Sequence, residues 1–185
     1  AANTNFIYKE VPDPVAGPGE AVARVFSCGS GLTIQHVKMG RTPAIFPRII
    51  GHEITGEIVE IGTGVNSLKV GDPVTLHFYI FCGYCKKRLS GYEPLCENLN
   101  GFVGTTHDGG YAEYLKLPAQ NFIVLPNGLN YKEDAAEIGV VTDALATPYK
   151  VINRANIKPG ENVVIFGAGG GLGLHQIILA KWAGA

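Results

Sequence analysis

The stretch EAVARVFSC, residues 20–28, follows a proline- and glycine-rich segment and is typical of a β-strand. Further strands are predicted at residues 54–62, 72–80, 110–118 and 122–126, separated by glycine-rich turns. No segment before about residue 130 has the pattern of a long helix. This part of the chain is therefore predicted to be an all-β barrel or sandwich.

The pattern changes after Pro126. Residues 143–155 have helical spacing, and Pro148 is compatible with a helix if it lies in the first turn. Residues 161–185 indicate a strand, a glycine turn and a helix, which is how a parallel α/β unit begins. We expect two domains, residues 1–140 and an incomplete 141–185, because a βα unit needs a following strand to bury its helix.

Composition excludes several classes of function. The 185 residues carry a formal net charge of −1, so no basic surface indicates nucleic acid or a membrane. The longest apolar runs are too short to span a bilayer, and the polar N-terminus has no secretory signal. Four cysteines without a disulfide-rich layout favour a reducing, cytoplasmic location.

A glycine loop, GAGGGLG, occupies Gly167 to Gly173. The literal G-x-G-x-x-G pattern fails at Leu172, whereas Gly167, Gly170 and Gly173 fit a G-x-x-G-x-x-G register. Glycines without a Cβ let backbone N–H groups approach a pyrophosphate at a helix N-terminus, which predicts dinucleotide binding. The alternative is an ordinary tight turn. The candidate cofactor-binding residues are Gly167, Gly169, Gly170, Gly171, Leu172 and Gly173.

Three other residues could carry chemistry, although each has a simpler explanation. Cys28 follows the first strand and is by itself more often a packed thiol. His52 lies in GHEITGE, and a lone histidine is usually hydrogen-bonded or at the surface. Asp143 precedes a predicted helix and would ordinarily be an N-cap.

The order of these motifs resembles the zinc-dependent medium-chain alcohol dehydrogenases. From about residue 18 to 185 the chain shows Cys-Gly-Ser, GHE, VGDPV, the CGYC lobe, GGYAEY, TDALATPY and the glycine loop in the family's order. The resemblance implies a GroES-like β-barrel catalytic domain followed by the first βα unit of a Rossmann coenzyme domain, an α+β to α/β architecture. It also implies that the family's first strand and the rest of the coenzyme domain are lacking.

The resemblance implies a catalytic zinc held by Cys28, His52 and Asp143, with Glu53 as a supporting group or alternative ligand. One thiolate, one imidazole and one carboxylate leave the open fourth position of a catalytic zinc site. Ser30 matches the family's hydroxyl that passes on the substrate proton, and Thr147 matches a position near the nicotinamide.

The activity implied is hydride transfer between an alcohol or carbonyl compound and NAD or NADP, by a full-length protein that is a homo-oligomer. Two departures leave alternatives open. Gly31 and Thr33 stand where many relatives have Asp and His. The glycine loop is one residue longer than in typical alcohol dehydrogenases and resembles the zinc-free quinone or enone reductases. A non-catalytic binding protein on the same fold is the third possibility.

The segment FCGYCKKRLSGYEPLC, residues 81–96, resembles the family's structural zinc lobe, which has four cysteines. Here Cys82, Cys85 and Cys96 keep their spacing, but Arg88 stands in the third position and cannot bind a metal. Structural zinc sites are closed and four-coordinate, so an empty cage is the favoured interpretation. A three-thiolate site would need water or a carboxylate from Glu93 or Glu97, and a disulfide under oxidising conditions is also possible.

Overall fold

The computed structural model describes residues 3–185, which form two compact units. The first unit ends at Gly139, and the second runs from Val140 to Ala185.

The first unit is built on a five-stranded antiparallel sheet. Its order is β4-β1-β2-β3-β5. The strands are β1 (Glu20–Cys28), β2 (Ile54–Ile61), β3 (Pro73–Leu76), β4 (Tyr114–Pro118) and β5 (Phe122–Val124). All five predicted strands are present, but β3, β4 and β5 are shorter than their sequence patterns and β2 ends one residue earlier.

Apolar side chains on the inner face of this sheet make the core of the first unit. The completely buried members include Ala21 and Ala23 of β1, Ile54 and Ile58 of β2, and Val74 of β3. The alternation of Ile54, Gly56 and Ile58 with polar residues follows the period of two in a strand. Burial of such side chains is the main stabilising term for the unit.

Short helices connect the strands. They are α1 (Leu32–Lys38), α2 (Lys86–Leu89) and α3 (Ala135–Gly139), with 3₁₀ turns at Glu93–Leu95 and Ala119–Asn121. Helix α1 was not predicted, although Ile34 and Val37 on one of its faces are buried. It is only two turns long, so its apolar periodicity is too brief to be recognised from sequence.

The second unit contains a 3₁₀ turn at Val140–Thr142, helix α4 (Ala146–Ala155) and helix α5 (Gly171–Trp182). Pro148 lies in the first turn of α4, as the helical interpretation required. The predicted strand before the glycine loop is not formed, since residues 161–165 have no regular structure. Val164 and Phe166 are 79% and 93% exposed. A parallel strand needs neighbours on its edges and faces, and the part of the chain described here supplies none.

Among residues 3–185, no helix has the length and apolar character needed to cross a bilayer.

Candidate functional site

The end of β1 carries Cys28 to the start of β2. The register of the sheet places Cys28 opposite Ile54, directly after the segment Gly51–His52–Glu53. The Gly29 N–H donates a hydrogen bond of 2.8 Å to the Glu53 carbonyl, which ties the two chain segments together. Strand pairing thus brings the cysteine and the GHE motif, 24 residues apart in sequence, to one place.

Two glycines make room for the Cys28 sulfur. A β-carbon on Gly51 would lie 2.5 Å from Cys28 Sγ, and one on Gly110 would lie 3.0 Å from it. Gly51 also has φ of +94°, a conformation that L side chains rarely adopt. We call Cys28, Gly51 and Gly110 the glycine cradle. At either glycine position, a larger residue would collide with the Cys28 sulfur.

Tyr111 closes one side of the glycine cradle. Its ring passes so close to Gly51 that a β-carbon there would be 2.6 Å from Cδ1. Its hydroxyl donates a 3.3 Å hydrogen bond to the Gly29 carbonyl. Tyr111 lies in the GGYAEY motif, but its role could not be predicted from the sequence because it depends on a contact with Gly51, 60 residues away.

His52 and Glu53 are both buried, at 8% and 6% exposure. The His52 ring packs against Phe78, with 5.0 Å between centroids, and both acid and imidazole have interaction partners. A β-carbon on Gly31 would lie 3.7 Å from Glu53 Oε2. The Glu53 carboxylate therefore approaches the position where the family resemblance leads one to expect an aspartate.

A buried asparagine holds the chain segment that carries Phe78. Asn121 is completely buried, and its Nδ2 donates two 2.7 Å hydrogen bonds, to the carbonyls of His77 and Tyr79. These bonds satisfy backbone groups beyond the end of β3 that have left the strand ladder. Asn121 could not be predicted from the sequence, since an isolated asparagine gives no sign of burial.

The environment of Cys28 strongly disfavours its charged form. Burial raises the pKa of this thiol to about 12, against a smaller opposing contribution from a backbone hydrogen bond. The nearby Glu53 charge raises the pKa further. The protein itself therefore keeps Cys28 as a neutral thiol at physiological pH, and a cation is the kind of partner that would ionise it.

The other predicted residues lie at different depths. Ser30 is exposed, just beyond the end of β1. Asp143 and Thr147 belong to the second unit, where Thr147 Oγ1 donates a 3.2 Å hydrogen bond to Asp143 Oδ1. Asp143 is not the N-cap of α4, because that position is Leu145. Its assignment as the third zinc ligand stays a prediction.

Three of the predicted glycines in the loop, Gly167, Gly170 and Gly173, have identifiable roles in the backbone. Gly167 has φ of +72°, and a β-carbon on Gly173 would lie 2.3 Å from the Gly167 carbonyl oxygen. Gly170 is the N-cap of α5. The G-x-x-G-x-x-G register thus matches a turn that only glycine can make and a helix packed closely onto it. Gly169 and Gly171 have open space around them.

One cluster of potential metal ligands is fully assembled. Among residues 3–185, the group of three or more ligand atoms lying within 4.8 Å of one another consists of Cys82, Cys85 and Cys96. Cys28, His52 and Glu53 do not satisfy that condition by themselves. The third ligand implied by the family resemblance, Asp143, belongs to the second unit and stays a prediction.

Comparison with known proteins identifies the family. The model of the alcohol dehydrogenase GroES-like domain matches residues 17–127, which include the glycine cradle, the GHE motif and the cysteine lobe. The chain belongs to the alcohol dehydrogenase family. The prediction of a GroES-like catalytic domain is thereby confirmed.

Related alcohol dehydrogenases match nearly the whole chain. One from Geobacillus stearothermophilus is 40% identical over 95% of this chain and 51% of its own length. The solved structure of a cobalt- and zinc-bound thermostable alcohol dehydrogenase from Pyrobaculum aerophilum has a TM-score of 0.88 and 33% identity. It covers 99% of this chain and 56% of that one. Acetophenone reductase from Geotrichum candidum in complex with NAD has a TM-score of 0.84 and 34% identity, over 96% and 51%.

The chain spans about half the length of the curated relatives it matches. These relatives are named as dehydrogenases, which does not favour the zinc-free reductase alternative.

Proposed function

We propose that this chain is the metal-binding and catalytic part of a zinc-dependent, NAD- or NADP-linked alcohol dehydrogenase. The observation that carries the proposal is the glycine cradle. It holds the Cys28 sulfur in a fitted pocket beside the buried His52 and Glu53, inside the segment that matches the GroES-like domain. Burying an imidazole and a carboxylate next to a half-buried thiol is unfavourable unless these groups serve a site.

The donor set fits zinc. Cys28 supplies a thiolate and His52 an imidazole, and we assign Asp143 as the third ligand by its position in the TDALATPY motif. A thiolate and a carboxylate balance the two charges of Zn²⁺, and three protein ligands leave one position for substrate. Glu53, buried next to His52, would orient the ligands or serve as an alternative.

The chemistry that zinc supplies in such a site is Lewis-acid polarisation of an alcohol or carbonyl oxygen. The chain's own residues prepare the surroundings. Phe78 and Tyr111 place aromatic surface against His52 and Gly51, and this apolar surface would strengthen electrostatic interactions nearby. Ser30 is exposed two residues beyond Cys28, so its hydroxyl is suited to pass a substrate proton outward to solvent.

The glycine loop and Thr147 are proposed to bind the coenzyme. Gly167, Gly170 and Gly173 would let backbone N–H groups at the start of α5 approach a pyrophosphate. The nicotinamide then provides hydride transfer, which is the cofactor's chemistry rather than the protein's. Leu172 has no polar side chain, but it lies in the first turn of α5, where its backbone N–H would face the pyrophosphate.

Location and assembly follow the same resemblance. All four cysteines are free thiols, which is consistent with a reducing compartment, and we propose that the protein is cytoplasmic. We also propose that the whole protein forms a homo-oligomer and acts on a small alcohol, aldehyde or ketone.

The test is metal content and turnover of the whole protein that contains this chain. We expect Cys28→Ser and Asp143→Ala each to remove one zinc per chain and to lower kcat/KM for alcohol oxidation by at least about 100-fold. Ser90→Ala, at an exposed helix end, is the control that should change neither. A zinc-free preparation that reduces quinones would support the reductase instead, and a zinc-loaded protein without turnover on any carbonyl compound would indicate a binding protein.

A further inference from the structure

The cysteine lobe, Cys82 to Cys96, is assembled as a ligand set. Cys96 Sγ lies 3.5 Å from Cys82 Sγ and 3.8 Å from Cys85 Sγ. With metal–sulfur bonds of about 2.3 Å, the sulfurs of a tetrahedral site are about 3.8 Å apart. The spacing of these three thiols therefore matches three corners of a tetrahedron around one ion.

Backbone N–H groups point at all three sulfurs. The Cys82 N–H donates to Cys96 Sγ at 3.3 Å, the Cys85 N–H to Cys82 Sγ at 3.4 Å, and the Arg88 N–H to Cys85 Sγ at 3.4 Å. Such donors stabilise negative charge on sulfur. Because the donors are backbone groups of the lobe itself, the arrangement costs no side-chain ordering when an ion enters.

Among residues 3–185, no fourth His, Cys, Asp or Glu ligand atom joins the three sulfurs. Arg88 stands at the missing cysteine position in sequence, but its guanidinium makes a 3.2 Å ion pair with Glu93 and lies 5.0 Å from the Phe81 ring centroid. Glu93 is thereby engaged by a cation. Within the described part of the chain, neither Glu93 nor Glu97 joins the cluster of ligand atoms. The closed four-cysteine zinc site implied by the family does not fit these residues.

We propose that Cys82, Cys85 and Cys96 form an open three-thiolate site for a soft divalent cation of the zinc class, whose fourth ligand comes from solution. Binding releases three thiol protons and gives a complex with a net charge of −1. Thiolate ligands select soft ions, and a site that keeps one open position exchanges its fourth ligand, unlike a closed structural site. This lobe is then a metal site with an exchangeable fourth ligand rather than a closed structural site.

Cobalt(II) is the probe, because its visible spectrum reports the number and type of ligands. The experiment uses the whole protein carrying Cys28→Ser, so that cobalt at the other predicted site does not contribute to the spectrum. A phosphine reductant keeps the thiols reduced. We expect a thiolate-to-cobalt absorption band at one ion per chain, lost in Cys96→Ser. Added imidazole should shift the cobalt bands, because it can enter the open position.

Arg88→Cys provides the matched control, since it completes the four-cysteine spacing. This variant should bind cobalt at least about 10-fold more tightly, and its spectrum should not respond to imidazole. Arg88→Ala and Glu93→Gln should keep the wild-type spectrum, because neither side chain is a ligand. If Arg88→Cys fails to fold, these two variants still test whether Arg88 or Glu93 is a ligand.

Three outcomes would overturn the proposal. One is the absence of any cobalt–thiolate band in the parent protein. Another is a parent spectrum that does not respond to imidazole, which would mean that the protein supplies the fourth ligand. The third is a changed spectrum in Glu93→Gln, which would identify that carboxylate as the ligand. None of these readouts depends on dehydrogenase activity, so the proposed function can fail or hold independently.

Discussion

At the scale of single residues, two separate effects exclude a β-carbon at Gly51. Its φ of +94° disfavours any side chain, and a β-carbon there would collide with Cys28 Sγ and the Tyr111 ring. Gly71 has nearly the same φ, +92°, but nothing lies within 4 Å of its β-carbon position. A comparison of Gly51 with Gly71 therefore separates the effect of backbone strain from that of steric collision.

We predict that Gly51→Ala lowers the free energy of unfolding by about 2–5 kcal/mol. Of this, about 1–2 kcal/mol is the left-handed conformation and about 1–3 kcal/mol is overpacking against the sulfur and the ring. Urea unfolding followed by circular dichroism measures the loss. Gly71→Ala should cost only the first part, and equal losses in the two variants would contradict the proposed packing at Cys28.

At the scale of elements, a polar link joins β2 to the segment before α3. The Tyr131 hydroxyl donates a 2.5 Å hydrogen bond to Glu57 Oε2, and Lys132 Nζ lies 3.0 Å from the same oxygen. The hydrogen bond from Tyr131 is the largest cause that lowers the pKa of Glu57 from its usual 4.5, followed by that from Lys132. The hydrogen bond thus links the segment before α3 to β2, although Tyr131 and Glu57 are 74 positions apart in sequence.

We predict that Tyr131→Phe destabilises the first unit by about 1 kcal/mol at pH 7, and that the difference disappears in acid. Because the folded pKa of Glu57 is depressed, its contribution is complete above pH 4.5 and is lost as the pH falls through the folded value. Urea unfolding of both proteins from pH 7 to pH 3 measures it. Tyr84→Phe, at a ring that is 70% exposed, should have no effect. A difference that persists unchanged down to the lowest pH at which both proteins stay folded would mean that the hydroxyl acts without the Glu57 charge.

At the scale of the whole molecule, the two units differ in how completely they bury their chains. β1 lies between two paired strands, and Ala21, Ala23 and Ile58 are completely buried. In the second unit, Val164 and Phe166 precede the glycine loop in an exposed, irregular segment. Slow local opening requires buried contacts and paired backbone groups, so the units should differ in dynamics.

We predict that, in this 185-residue chain, backbone amides of β1 exchange with solvent at least about 100-fold more slowly than those of residues 162–166. Hydrogen exchange followed by mass spectrometry of peptides measures both in one sample. Helix α5 provides an ordered reference in the second unit, with Leu174 N–H bonded to the Gly170 carbonyl at 2.9 Å. Protection of residues 162–166 equal to that of β1 would contradict the irregular segment.

Much of the first unit could be predicted from local pattern alone. β1 begins and ends at the residues that its sequence indicated, and β2 differs by one residue, because both are runs of eight or nine residues rich in β-branched and apolar side chains. The strand before the glycine loop was predicted from the same kind of signal and is absent. An apolar pattern specifies what a segment can form, whereas a strand also requires neighbours.

The candidate site was predictable only in part. Cys28, His52 and the glycine loop were recognisable from motifs, but Tyr111, Phe78 and Asn121 were not. Each of these three acts through a contact made by residues distant in sequence. Such contacts depend on strand register and on how the chain leaves the sheet, which no local pattern encodes.

The sequence by itself determined the strands of the first unit, the family and the residue types able to bind a metal, because these depend on side-chain chemistry and short-range periodicity. Only the tertiary structure decided that Gly51 and Gly110 shape a pocket at Cys28, and that the three lobe thiols meet while Arg88 turns to Glu93. The physical reason is that a site is made by distances between side chains, and folding sets those distances through backbone pairing far from the residues themselves.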